Sequence, residues 1–253
     1  MTINSAHESA ASGSTVAAFL APEGRRASLR LADGGRRLAE IGTVDTSRLS
    51  DASIRALDIV GSGALLILLS PLLLIVALLI RIDSRGPTIF RQRRLGRDLE
   101  PFSVAKFRTM RNGVATDAHR NHVERMIGEG EPEEQPMMKL QKDDRVTRVG
   151  AFLRRTSIDE LPQLWNVLRG DMSLVGPRPP IQYEVERYPA EAFRRFAVRP
   201  GVTGLWQVRG RSLLSFRQMI ELDAKYVEQR SLTLNLKILL LTVPTVIHGK
   251  GAE

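Results

Sequence analysis

Residues 59–80 read IVGSGALLILLSPLLLIVALLI, a run of 22 residues without a charged side chain. At about 1.5 Å of rise per residue, a helix of this length reaches about 33 Å, which is enough to cross the roughly 30 Å apolar core of a bilayer. A buried core helix is the alternative, but so long an uncharged run is more typical of a membrane segment. The run therefore predicts a membrane-associated chain.

Ser70 and Pro71 stand at the midpoint of this run. Proline removes a backbone hydrogen bond and clashes with the preceding turn, so the helix is predicted to kink there, leaving arms of about 15 Å each. Basic residues flank the run on both sides, and the positive-inside tendency would keep both flanks in the cytoplasm. We therefore predict a re-entrant helix–break–helix over residues 51–83 that enters the membrane and returns.

Composition limits the partners of the chain. Its 253 residues carry 37 Lys and Arg against 28 Asp and Glu, a net charge of +9, which favours anionic partners. Aromatic residues make up only 5%, which argues against nucleic acid as a partner. There is no cysteine, so disulfides and thiolate sites are excluded. Residues 1–50, rich in Ala, Ser, Gly and Arg, are predicted to be a disordered basic arm.

Residues 84–253 are predicted to form one catalytic domain. Residues 88–93 and 102–107 bracket Leu-Gly-Arg-Asp and predict a β-hairpin. Lys106 would share a strand face with Phe102 and Val104, where it either extends to solvent or marks a site. Residues 112–142 are charged and predict a helix and an exposed loop, whereas helical patterns follow from residue 151. Residues 232–247 predict a packed or interfacial helix, since Lys237 and Pro244 interrupt them.

The stretch at residues 154–180, RRTSIDELPQLWNVLRGDMSLVGPRPP, carries the strongest chemical signal. Asp159 and Glu160 form an adjacent carboxylate pair before an apolar helix. The segment from Ser157 to Glu160 fits a capping box, in which both carboxylates would serve the helix end. The alternative is that the helix begins at Pro162, which leaves both carboxylates outside it and free for chemistry.

Arginines around the pair predict phosphate binding, because guanidinium groups bind phosphate oxygens in bidentate fashion. The candidates are Arg154, Arg155 and Arg178, the last held between prolines in Gly-Pro-Arg-Pro-Pro. A metal site at His119 and His122 has little support, because further ligands are missing, and Asp143-Asp144 is more typical of the start of a turn than of a cation site. The P-loop, G-x-G-x-x-G, G-x-S-x-G and H-E-x-x-H motifs are absent from the sequence.

Taken together, these motifs resemble those of the bacterial sugar transferases, the monotopic phosphoglycosyl transferases. The similar segments are Ser70-Pro71 in the apolar run, KFRTM at 106–110, residues 142–180, and RPGVTGLWQVRGR at 199–211. They occur in family order over about four-fifths of the chain. The extra membrane helices and domain of longer members are missing, so the resemblance is to a short, catalytic-unit form.

The resemblance implies an α+β fold, mainly helical with a small β-hairpin, and a re-entrant membrane helix bent at Ser70-Pro71. It implies transfer of a hexose 1-phosphate from a UDP-hexose to undecaprenyl phosphate, on the cytoplasmic face of the bacterial inner membrane, with Mg²⁺ as cofactor. Asp159 would be the nucleophile and Glu160 either a Mg²⁺ ligand or an aid to proton and charge transfer. Lys106, Arg154 and Arg178 match family residues near the site.

Two rival functions fit part of the sequence. A membrane-anchored basic scaffold that binds anionic lipid or nucleic acid would explain the apolar run and the net charge, but it gives Asp159 and Glu160 no role. A transferase that passes the sugar without its phosphate would release UDP in place of UMP.

Overall fold

A computed structural model of the chain describes residues 48–111 and 145–247. The elements, in chain order, are helix α1 (Arg48–Asp83), strands β1 (Ile89–Leu95) and β2 (Pro101–Phe107), helices α2 (Arg148–Thr156) and α3 (Gln163–Arg169), strand β3 (Ser173–Val175), helix α4 (Gln182–Val185), strand β4 (Gly201–Thr203), and helices α5 (Leu205–Arg209), α6 (Phe216–Gln229) and α7 (Leu232–Ile247). The predicted α+β class, mainly helical with a small hairpin, is confirmed.

Several predictions fall outside the described residues. They are the basic arm, except for residues 48–50 at the start of α1, the charged segment 112–142, and the weak metal candidates His119, His122, Asp143 and Asp144.

The long helix α1 contains the whole apolar run. It spans 36 residues with Pro71 in its interior, and Asp51 in its first turn and Arg81 in its last complement the helix dipole. Among the described residues it is the one helix long and apolar enough to cross a bilayer, judged by length and composition. The structure assigns one helix across Ser70 and Pro71 rather than two, and the kink there stays a prediction.

Ser70 compensates for the proline that follows it. The missing N–H of Pro71 would have donated to the carbonyl of Ile67, four residues earlier. The Ser70 hydroxyl donates to that same carbonyl at 2.8 Å. The Ser-Pro pair thus keeps the helix hydrogen bonded at a point where its surroundings are apolar.

Both ends of α1 contact the folded domain that follows it in the chain. Near its start, Arg55 donates to the carbonyls of Val167 and Leu168 at 2.7 and 2.8 Å. Near its end, the Asp83 carboxylate accepts from the Val149 amide at 3.3 Å. Between these contacts apolar side chains are exposed, Ile67 by 78% for example. The apolar stretch is therefore anchored to the folded domain at both of its flanks.

The predicted hairpin is confirmed. Strands β1 and β2 are antiparallel, with Ile89 opposite Phe107 and Leu95 opposite Pro101. Val104 and Phe107 of β2 are buried, and Phe107 packs in a cluster with Val76 and Ile80 of α1. The hairpin thus lies against the second half of the long helix.

A second, parallel sheet was not predicted. Strands β3 and β4 pair through Ser173 with Gly201 and through Val175 with Thr203. The backbones approach so closely that a Cβ on Gly201 would lie 2.0 Å from the Gly176 amide nitrogen, and only glycine fits there. Strands of three residues leave no alternating pattern in a sequence, so only the long-range pairing reveals them.

The C-terminal helices close the core. Ser215 and Gln218 form a capping box at the start of α6, each side chain accepting from the other's backbone amide. In α7, Ile238 is buried while Leu240 is 74% exposed. The predicted packed helix over residues 232–247 is confirmed, and its position at a membrane interface stays a prediction.

Candidate active site

The carboxylate pair lies in a break between two helices. Helix α2 ends at Thr156, Ser157 adopts a left-handed conformation with φ of 57°, and a 3-10 turn carries Ile158–Glu160. Ser157 caps neither helix with its side chain, so the capping-box interpretation is wrong. Pro162 directly precedes the first residue of α3, where its missing N–H costs nothing. Both carboxylates thus stand outside the helix, as the alternative predicted.

Glu160 is bound by two cations. Its Oε1 lies 2.6 Å from the Lys106 Nζ and 3.4 Å from an Arg178 Nη1. Lys106 and Glu160 are only 18% and 21% exposed, so water screens their attraction less than at an open surface. Lys106 therefore does not extend to solvent but pairs with Glu160, and its role in a functional site stays a prediction.

The surroundings of Asp159 disfavour its ionised form. Burial raises its pKa, and the adjacent charge of Glu160 raises the pKa further, while the positive charges of Lys106, Arg154 and Arg178 oppose the shift. Burial likewise lowers the pKa of Lys106, against the opposing charge of Glu160. A carboxyl group with a shifted pKa beside three cations is typical of functional sites, although structural ion-pair networks shift pKa values as well.

Arg154 joins the site from the last turn of α2. Its Nε donates to the Thr109 hydroxyl at 3.0 Å, which connects α2 to the residues after β2. The neighbouring Arg155 is exposed and lies over the ring of Phe152, with 5.9 Å from its Cζ to the ring centroid. Of the three predicted arginines, Arg154 and Arg178 therefore act on the carboxylate pair.

Asn166 of α3 attaches that helix to β2, the strand that carries Lys106. Its carboxamide accepts from the Ala105 amide at 3.0 Å and donates to the Ser103 carbonyl at 2.8 Å, as a neighbouring strand would. It is 3% exposed, so both bonds are protected from water. Lys106 and Glu160 are far apart in sequence, and Asn166 joins the strand of Lys106 to α3, the helix that follows Glu160.

Four residues of the site were not predicted. A shallow cleft is lined by Lys106, Glu160 and Arg178 and also by Arg94, Gln163 and Gln207. Burial lowers the pKa of Arg94 to about 10. Arg211 is close enough to Glu160 to feel its charge, and its own backbone is left-handed with φ of 51°. Arg211 ends the quoted motif at 199–211, so its signal was present in the sequence.

The carboxylate pair fits a magnesium ion of the kind that phosphate substrates bring with them. Within residues 48–111 and 145–247, no three His, Cys, Asp or Glu side chains come together. Mg²⁺ is commonly held by one or two carboxylates, with water and substrate phosphate oxygens as its other ligands. Asp159 and Glu160 can supply those carboxylates, and no additional acidic residue is required.

Comparison with known proteins identifies the family. A family model described as bacterial sugar transferase matches residues 49–249, from the start of α1 to beyond α7. The chain belongs to the bacterial sugar transferase family. The match includes the carboxylate pair, Lys106 of the hairpin, and the motifs at residues 142–180 and 199–211. It covers all but the first of the residues that the structure describes in this sugar transferase.

Curated relatives share this sugar transferase's sequence over most of its length. It is 42% identical over 198 residues to the UDP-galactose-lipid carrier transferase of Erwinia amylovora, covering 78% of this chain and 41% of the relative. It is 39% identical to the exopolysaccharide production protein ExoY of Rhizobium meliloti, covering 78% and 87%. It is 44% identical to the UDP-glucose:undecaprenyl-phosphate glucose-1-phosphate transferase of Caulobacter vibrioides, covering 80% and 72%. The chain thus spans about two-fifths of the first relative and most of the other two.

Proposed function

We propose that this chain transfers a hexose 1-phosphate from a UDP-linked sugar to undecaprenyl phosphate, as the first membrane step in assembling a surface glycan. The observation that carries the proposal is a largely buried carboxylate pair, in the 3-10 turn between α2 and α3, facing three basic side chains in a member of this family. The names of relatives supply the donor and acceptor classes, including UDP-glucose and undecaprenyl phosphate.

The reaction proceeds in two displacements at one phosphorus atom. A carboxylate oxygen of Asp159 attacks the sugar-bearing β-phosphorus, and the bond from that phosphorus to the bridging oxygen breaks. UMP leaves with the bonding electrons, and the sugar phosphate stays on Asp159. An oxygen of undecaprenyl phosphate then attacks the same phosphorus and displaces the carboxylate, giving undecaprenyl diphosphate sugar. Covalent capture means that the two anionic substrates never have to react directly.

The basic residues of the site stabilise the charge that develops on the transferred group. Lys106 and Arg178 approach from the hairpin and from the proline-rich turn, whereas Arg154 approaches from α2. Preorganised cations of this kind act strongly on phosphoryl transfer, because they need little rearrangement during the reaction. A bound Mg²⁺ would be held by Glu160 and would add to the neutralisation of phosphate charge.

Membrane attachment through a re-entrant α1 completes the proposal. Its two flanks contact one folded domain while the apolar middle stays exposed, which supports both flanks lying on the cytoplasmic side. The site then lies near the lipid headgroups, where the acceptor phosphate is found. Anionic headgroups also suit a chain of net charge +9.

The test is UMP release from a panel of UDP-hexoses by purified protein with Mg²⁺, with and without undecaprenyl phosphate. We expect UMP from at least one sugar, formed in a lipid-dependent manner and lost in Asp159→Asn. UDP in place of UMP would show transfer of the sugar alone. No nucleotide from any donor, with protein shown to be folded, would refute the proposal and favour a basic scaffold.

A further inference from the structure

The turn that carries Arg178 is held by its carbonyl groups. Three of the four residues from 177 to 180 are prolines and have no amide hydrogen to donate. All four carbonyls nevertheless accept hydrogen bonds, at 2.9 to 3.0 Å, from the Gly201 amide, an Arg195 Nη2, an Arg94 Nη1 and the Leu95 amide, in chain order. The donors come from β4, from the 3-10 segment at Ala190–Ala197 and from β1. The turn is therefore fixed at every peptide.

Arg195 is the donor to the carbonyl of Arg178 itself. Its guanidinium is buried, with the residue 4% exposed, and its Nη2 lies 3.0 Å from that oxygen. Its Nη1 donates to the Tyr188 hydroxyl at 3.0 Å, and the Tyr188 ring lies 5.4 Å from its Cζ. The planar fork of an arginine suits this task, because it donates in several fixed directions at once.

Asp223 supplies the counter-charge. An oxygen of its carboxylate lies 2.8 Å from the Arg195 Nη2, and both side chains are almost completely buried. Replacing a buried ion pair with packed apolar residues is often neutral or stabilising, so stability alone is a weak reason for one. Arg195 of this pair donates to the backbone carbonyl of Arg178, and the Arg178 side chain contacts Glu160. The buried pair is thereby connected to the site.

We propose that Arg195, with Asp223 as its counter-ion, is a positioning residue that directs Arg178 towards Glu160. The inference rests on the proposed function, since the activity that Arg178 serves is the sugar-phosphate transfer. Arg178 is 39% exposed and its Nη1 is 3.4 Å from Glu160, so its own contacts restrict it little. Its direction is set by the backbone from which it projects. Displacements of about 1 Å at a phosphate-binding group can cost about 10²-fold in rate.

Arg195 is better suited to a test than Arg94, the other arginine on the turn. Arg94 lines the cleft beside Lys106, so replacing it would also remove a positive charge from the site. Arg195 lies behind the turn and contacts neither Asp159 nor Glu160 in its hydrogen bonds and ion pairs. Burial raises the pKa of Asp223 to about 6, so assays at pH 8 keep the pair charged.

The test is a double-mutant cycle on kcat/KM for UMP release, using Arg195→Lys, Arg178→Ala and the double variant. Lysine keeps the charge beside Asp223 but loses the fork. We expect Arg195→Lys to lower kcat/KM by about 10- to 100-fold in the wild-type background and by less than about 3-fold when Arg178 is absent. The loss in Tm should be equal in both backgrounds. An equal activity loss in both backgrounds, or no loss, would overturn the proposal.

Two further variants control this experiment. Arg194→Lys changes the adjacent arginine, which is exposed and pairs with Glu228 of the same helix as Asp223, and it should leave the rate unchanged. Tyr188→Phe removes only the hydroxyl that orients Arg195. It should lower kcat/KM by a smaller factor than Arg195→Lys does, and this loss should again disappear in the Arg178→Ala background. Tyr188→Phe serves in place of Arg195→Lys if that variant does not fold.

Hydrogen exchange provides a measurement that does not need activity. The amides of Leu95 and Gly201 donate to the turn, so they should exchange faster in Arg195→Lys and at the wild-type rate in Arg194→Lys. Unchanged exchange at both amides would overturn the positioning role. A wild-type chain that releases no UMP would refute the proposed function instead, and the two failures remain distinct.

Discussion

Asp159 combines two properties that work against each other. It is largely buried beside the negative charge of Glu160, which disfavours its ionised form, yet a phosphorus nucleophile has to be ionised. Lys106, Arg154 and Arg178 compensate in part. The proposed nucleophile is therefore expected to reduce the stability of the fold.

Asp159→Asn should abolish UMP release, by at least about 10³-fold, and should also stabilise the protein at neutral pH. Because the folded-state pKa is raised, the stabilising effect of Asp159 is present below its unfolded pKa and is lost as pH rises through the folded one. The Tm of the variant should thus exceed that of the wild type at pH 8, with the difference shrinking towards pH 4.

Thermal unfolding of both proteins across this pH range checks the expectation. Asp98→Asn, at an exposed carboxylate in the hairpin connection, is the matched control and should change Tm little at any pH. A lower Tm for Asp159→Asn at pH 8 would contradict the argument from burial.

Lys106 and Glu160 should move the acidic limb of the pH profile in opposite directions. The charge of Lys106 lowers the pKa of Asp159 and that of Glu160 raises it. The limb of kcat/KM should therefore shift to higher pH in Lys106→Met and to lower pH in Glu160→Gln, beside a loss of rate in both. Lys237→Met, at an exposed lysine of α7, should leave the profile in place. Shifts of the same sign in the two site variants would show that Asp159 does not control the limb.

At the scale of elements, α1 depends on the pairing of Ser70 with Pro71. The serine hydroxyl replaces the hydrogen bond that the proline removes at the Ile67 carbonyl. The hairpin also depends on residues close together in the chain, because only five residues, 96–100, join its two strands. Both elements follow from neighbouring residues. The hairpin and the helical run were predicted, whereas the break at Ser70-Pro71 stays a prediction.

Ser70→Ala should destabilise the wild-type protein by about 1 kcal/mol, because it leaves the Ile67 carbonyl unpaired in an apolar environment. In a Pro71→Ala background the same change should cost little, since the alanine that replaces the proline can donate its own amide to that carbonyl. Thermal unfolding of the four proteins in nanodiscs measures this coupling. Equal losses in the two backgrounds would show that the hydroxyl does not compensate for the proline.

At the scale of the whole molecule, the flanks of α1 are joined through the folded domain. Arg55 and Asp58 attach the first part of the helix to α3 and β3, while Asp83 contacts α2. A helix crossing the bilayer once would have to separate these contacts onto opposite sides. The proposed re-entrant topology keeps all of them.

Thiol labelling tests this topology without background, because the chain has no cysteine. Single variants Ala52→Cys and Arg85→Cys, both at exposed positions, should react with an impermeant reagent from the cytoplasmic side only. Ile67→Cys, 78% exposed in the apolar middle of α1, should be protected in membranes and react in denaturant. Labelling of the two flanks from opposite sides would rule out the re-entrant arrangement.

By itself the sequence determined the features that depend on neighbouring residues. The apolar helix α1, the hairpin and the C-terminal helix all follow from local composition. The candidate residues Asp159, Glu160, Lys106, Arg154 and Arg178 were singled out from the sequence, and the family resemblance supplied their expected roles. The structure brings them together.

Only the tertiary structure decided the features that depend on distant contacts. Three such contacts join segments that are separated in the chain. They are the parallel pairing of β3 with β4, the hydrogen bonds of Asn166 to the strand of Lys106, and the hydrogen bond from Arg195 to the Arg178 carbonyl. Two local interpretations allowed Lys106 to point to solvent and Ser157 to cap a helix. Which side chains meet is settled by burial and packing of the whole domain, and no local pattern records that outcome.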